Sequence, residues 1–154
     1  MNDQDAFNDD YFLLKINEAT ESLDYSLKQW EESDDFFQAY WQERIMLDYA
    51  DLKYARHGLD YCCGIISIKV FCVNYQCYLE ENLYRNTKIL VYLEGRRKSR
   101  YYQMASTPEE NKESLDNYIR TVRHAIDVTK DSLKQVAVML ENIDRNDIHA
   151  RPFP

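Results

Sequence analysis

The chain has 154 residues, with 27 Asp and Glu against 19 Lys and Arg, and a formal charge of −8 at pH 7. That length suits one domain with a core of its own, independent of metal or disulfide staples. Three Gly and three Pro are too few for the tight turns of a β-sandwich or barrel, so an all-α fold is expected.

The charge is unevenly spread. Residues 1–60 hold 15 acidic side chains against 5 basic, residues 61–107 hold 3 against 7, and residues 108–154 hold 9 against 7. An acidic first third repels phosphate backbones, which argues against direct nucleic-acid binding by that surface and favours a basic protein partner. An ordinary solubilising face is the plainer alternative. Thirteen Tyr fit helix flanks with half-buried rings, or a binding surface. The N-terminus, Met1-Asn2-Asp3-Gln4-Asp5, has no basic then apolar leader pattern, so a cytoplasmic location is expected.

Asp9 or Asp10 can cap a first helix running to about Glu32. Its apolar row is Phe12, Ile16, Ala19, Leu23, Leu27 and Trp30, the stripe of an amphipathic helix. Glu31-Glu32-Ser33-Asp34-Asp35 breaks the pattern, and Ser33 or Asp34 can cap a second helix. That helix carries Phe37, Trp41, Ile45, Asp48, Leu52 and Ala55 on one row. Asp48 needs a partner there, either Arg44 one turn earlier or a Tyr hydroxyl from another helix. A helix-packing carboxylate is the plainer reading, a hot-spot acid the sharper one. Arg56-His57-Gly58 reads as the helix end, with Gly at C′.

Leu59 to Leu93 follows, apolar on more than one side at helical spacing. A helix apolar nearly all round is one surrounded by others, so this stretch is expected to form a buried central helix. Ser67, Lys69 and Asn74 interrupt it too often for a membrane span. Its β-branched run from Ile65 to Val73 leaves a strand reading open. Four Cys, at 62, 63, 72 and 77, have no CxxC spacing and are expected to be buried free thiols. The basic cluster Arg96-Arg97-Lys98-Ser99-Arg100 precedes Tyr101 and Tyr102. It complements a helix C-terminus; a phosphate or RNA contact with the two Tyr as stacking platforms is the sharper alternative.

Thr107-Pro108-Glu109-Glu110 has the form of a capping box. After it come Leu115, Ile119, Val122, Ile126, Thr129, Leu133, Val136, Leu140 and Ile143, a strict seven-residue repeat. It predicts a long helix packed at a shallow angle on an antiparallel neighbour. The same seam suits a homodimer, so monomer and dimer both stay open. Arg151-Pro152-Phe153-Pro154 ends the helical pattern. The expectation is one domain, a bundle of about four main helices (9–32, 34–57, 60–94, 107–144) with tails at 1–8 and 145–154.

No Gly-rich phosphate loop, nucleophile elbow, HExxH or Glu-x-x-His occurs. No catalytic residue, metal ligand or cofactor is therefore expected, and the chain reads as a non-enzyme. One alternative comes from Arg145-Asn146-Asp147-Ile148-His149, which resembles the Arg-x(4–6)-His motif of helical HEPN ribonucleases. Here only three residues separate Arg145 from His149. A helical regulator that self-associates is a further alternative.

Asp10-Tyr11-Phe12, Tyr40-Trp41 and the run Leu47-Asp48-Tyr49-Ala50-Asp51-Leu52-Lys53-Tyr54-Ala55-Arg56-His57-Gly58 resemble the N-terminal region of PoNe-type immunity proteins, over residues 9–60. The resemblance implies an all-α, acidic, cytoplasmic bacterial antitoxin that binds and neutralises a secreted DNase toxin. A DNase must present a basic surface, which an acidic inhibitor can occupy. The expected partner-binding residues are Glu31, Glu32, Asp34 and Asp35, with Asp48 and Asp51 further along.

Overall fold

The computed structural model describes residues 8–150, with the side chains of 36 and 147–150 outside the description. The fold is all-α, and no strand occurs among the described residues. Its helices are α1 (Asp9–Glu32), α2 (Asp35–Cys62), α3 (Ile68–Arg97), the single turn α4 (Arg100–Gln103) and α5 (Glu109–Ala150). No described helix is long and apolar enough to cross a membrane.

Capping side chains set the starts of the first three helices. Asn8 accepts from Tyr11 N, Asp34 from Phe37 N and Ser67 from Val70 N, each satisfying an amide that lacks an intrahelical partner. The cap of α1 is thus Asn8, one residue before the expected Asp. Thr107 differs more: its buried hydroxyl donates to the Tyr101 carbonyl, and α5 begins two residues later.

The boundary between α2 and α3 corrects the sequence reading. Gly58 lies inside α2, which runs on to Cys62. The C′ residue is Gly64, at φ 75°. Ile65 N bonds the Asp60 carbonyl and Gly64 N bonds the Tyr61 carbonyl, the two bonds of a Schellman motif. Gly58 serves packing instead, because a Cβ there would run into the Phe12 ring.

α3 lies between α2 and α5, packing against both, while α1 packs on α2. It is central but not buried all round. Phe71, Cys72, Leu79, Asn86, Ile89 and Leu93 face inward, whereas Ile65 is 71% exposed, Val70 45% and Val73 42%. Of the cysteines, only Cys72 is fully buried; Cys62 is half-buried, Cys63 and Cys77 are exposed, and none forms a disulfide among the described residues. Burial raises the Cys72 thiol, and burial together with Asp9 raises that of Cys62.

The seven-residue repeat of α5 behaves as expected. Leu115, Ile119, Val122, Ile126, Thr129 and Val136 are buried, and Leu133, Leu140 and Ile143 are half-buried. Two cores result. One joins Tyr40, Leu47, Ile89, Leu93, Tyr102 and the first half of the α5 seam. The other joins Phe12, Phe71, Cys72, Leu79 and Val136 at the opposite end of the bundle.

Candidate functional site

The α1–α2 corner presents the expected acids at the surface. Glu31, Glu32, Asp34 and Asp35 are all exposed. Asp34 also caps α2 through Phe37 N at 3.1 Å, and Asp35 lies in the first turn, where the helix dipole favours an anion. Among the described residues, Glu31, Glu32 and Asp35 form no salt bridge. The amide of Gln38 donates to the Trp30 carbonyl at 3.1 Å, which ties the end of α1 to α2. Trp30 is 38% exposed and Tyr25 58%, and Tyr25 stands edge-on to Trp41 at 5.8 Å between centroids. Unpaired carboxylates beside exposed aromatic rings suit a cationic protein surface with apolar anchors.

The basic cluster is largely used within the chain. Arg96 lies over the Phe37 ring, 4.3 Å from its centroid, so it folds under the start of α2. Arg97 Nε bonds Asp116 on α5 at 2.7 Å, which lowers the Asp116 carboxyl. Tyr102 is buried in the core, which removes it as a stacking platform; Tyr101 stays exposed and bonds Asn111.

Asp48 is not on the acidic surface. It is 2% exposed, and its two oxygens accept hydroxyls from Ser22 and Ser26 of α1, each at 2.7 Å. The Arg44 pairing that the spacing allows does not form among the described residues, nor does a Tyr hydroxyl supply the partner. Asp48 is a carboxylate clamp between α1 and α2, the plainer of the two sequence readings, and its place among partner-binding residues is corrected accordingly. With an acceptor bond on each oxygen, the buried side chain has the hydrogen-bond partners that burial of a polar group requires.

Asp51, one turn on, differs. It is half-buried and accepts the Tyr78 hydroxyl of α3 at 2.6 Å. Tyr78 in turn accepts from Asn82, 3.3 Å away, and Asn82 accepts from Asn86 at 2.6 Å. This polar chain runs from the α1–α2 groove into the centre of α3. Burial raises the Asp51 carboxyl, opposed by the Tyr78 bond. Asp51 borders a cavity of about 340 Å³ between α1, α2 and α3.

The remaining candidates do not assemble into a reaction centre. His57 lies mid-helix beside a groove between α2 and α3, not at a helix end, and His124 is exposed on α5. α5 continues helically to Ala150, so Arg145 and His149 sit one turn apart on a helix rather than in a tail. Arg145 bonds Glu141 at 2.9 Å; the His149 side chain lies outside the described residues. Among the described residues no group of three or more His, Cys, Asp or Glu is placed to hold a metal ion. Comparisons with family models, with curated proteins and with solved structures each return no match.

Proposed function

We propose that the chain is a non-enzymatic immunity protein that blocks a nuclease toxin by covering its basic substrate-binding surface. The observation that carries this reading is the α1–α2 corner. Glu31, Glu32 and Asp35 are exposed and have no ion-pair partner among the described residues, beside the exposed rings of Trp30 and Tyr25. In this mechanism the carboxylates take the places of nucleic-acid phosphates on the toxin, and the rings supply desolvated anchors. Occlusion needs no reaction on the inhibitor's side. The cytoplasm, where a toxin meets its target, is the matching compartment.

The test is protection of cells expressing the cognate nuclease. Asp34 is left in place because it caps α2, so reversal of Glu31, Glu32 and Asp35 to Lys acts mainly on the surface, with Asp35→Lys costing α2 about 0.3–1 kcal/mol of helix-dipole energy. The triple variant is expected to associate more slowly, bind more weakly and protect less. Full protection by a correctly folded variant rules this face out.

A further inference from the structure

The cavity beside Asp51 has a chemistry of its own. It is lined by Tyr11, Tyr54, Tyr78 and Asp51, together with Lys15, Glu18, Ala19 and Ser22 of α1. Among the described residues Tyr78 alone hydrogen-bonds that carboxylate, through Oδ1, so Oδ2 has no protein donor. Tyr54 and Tyr78 are stacked 4.6 Å apart, which fixes the rings before any ligand arrives. At about 340 Å³ the space lies in the range of small ligand pockets, roughly 300–1,000 Å³. An anionic group among tyrosine rings favours a cation, by Coulomb attraction and by the negative potential of the ring faces. The protein already displays that preference at the rim: Lys15 Nζ stands 5.6 Å from the Tyr11 centroid and pairs with Glu18 at 3.2 Å.

We propose that this cavity receives the guanidinium of an arginine side chain from the basic protein partner, with Asp51 as its acceptor. A planar guanidinium stacks on aromatic rings and forks onto a carboxylate, which a compact ammonium does less well. The inference rests on the reading of the chain as the binder of a basic protein, and the surface between the two places supports it. Glu18, Glu21, Tyr25, Lys28 and Glu32 follow at 3-4-3-4 spacing along α1, all exposed, so one mainly acidic stripe runs from the pocket rim to the α1–α2 corner. A partner seated on the corner extends along α1 and reaches the pocket with one long side chain.

The test uses the isolated chain and a defined probe, so it does not depend on any toxin. Isotope-labelled protein is titrated with N-acetyl-arginine methylamide while backbone amide shifts are followed, and the titration is repeated with the uncharged citrulline isostere. Saturable shifts confined to residues around Asp51, with the citrulline compound about tenfold weaker or worse, are expected. Asp51→Asn keeps an oxygen for the Tyr78 hydroxyl and should weaken the arginine probe by a similar factor. Lys15→Met, which removes a competing cation, should strengthen it. Equal binding of the citrulline compound, no saturable shift near Asp51, or weaker binding by Lys15→Met overturns the proposal. The wild-type comparison of the two probes decides the matter even if a variant fails to fold. Toxin protection by the corner reversal is read separately, so either idea can fail alone.

Discussion

Replacing Gly58 with Ala sets two effects of known size against each other. In an exposed helix interior Ala is favoured over Gly by about 1 kcal/mol. At this position the added methyl meets three atoms of the Phe12 ring. Phe12 is fully buried and stands edge-on to Tyr11, Tyr54 and Phe71, at centroid distances of 5.1, 5.9 and 6.0 Å. The ring has no free side to retreat to, so the variant must shift α1 away from α2 or force Phe12 off its rotamer. Overpacking of this kind costs about 1–3 kcal/mol, and a collision with three ring atoms belongs at the upper end. The net expectation is a loss of about 2 kcal/mol, equivalent to roughly 4–8 °C in melting temperature for a chain of this size. Urea unfolding followed by far-ultraviolet circular dichroism measures it. A double variant with Phe12→Leu should lose less than the two single losses combined, because the smaller side chain vacates the contested space. Stability of Gly58→Ala equal to or above wild type refutes the reasoning.

Three further expectations concern single side chains. Asp48→Ala leaves two serine hydroxyls inside the bundle without their acceptor and should cost about 3 kcal/mol by the same unfolding measurement, whereas an exposed acid costs almost nothing. Gly64→Ala meets open space but must hold φ at 75°, so its loss should be confined to the backbone term of about 1–2 kcal/mol, with Gly64→Asn milder; an unchanged midpoint for Gly64→Ala contradicts the Schellman assignment. Because burial raises the Asp51 carboxyl, folding without a bound cation disfavours the charged form relative to water, which adds stability where the carboxyl is protonated. That contribution is fully present below the ordinary carboxylate pKa and is lost as pH rises through the raised one. Asp51→Asn should therefore melt higher than wild type at neutral pH, with the gap closing as pH falls toward the carboxylate range. A gap that does not change with pH contradicts it.

The long-range plan of the fold was legible where periodicity is strong. The α5 seam repeats every seven residues from Leu115 to Ile143, and that repeat allows one packed face only. The α2–α3 boundary was not legible in the same way. Arg56-His57-Gly58 has the composition of a helix end, while the glycine that ends α2 lies inside the apolar stretch at Gly64. Gly58 is demanded by a ring from residue 12, a contact that no local pattern records. Ile65, Val70 and Val73 share the composition of a core yet face outward, because hydropathy does not say how many neighbours a helix has. At the site, the corner acids were visible as a charge run between two helical patterns. The anomaly of Asp48 was visible too, and Ser22 and Ser26, one turn apart beside the apolar row of α1, were the signal for its partners. The Asp51–Tyr78 pair was hidden, since its members stand 27 positions apart on different helices.

The most direct test of the central claim is a paired capture from the native host. The wild-type chain and the Glu31, Glu32, Asp35 to Lys variant serve as bait, and mass spectrometry identifies what each retains. A basic nuclease held stoichiometrically by the wild type and lost from the folded variant is the predicted result, with retention falling as salt rises. Retention of the same nuclease by both baits, or capture by the wild type of bound RNA without a basic protein, contradicts the account.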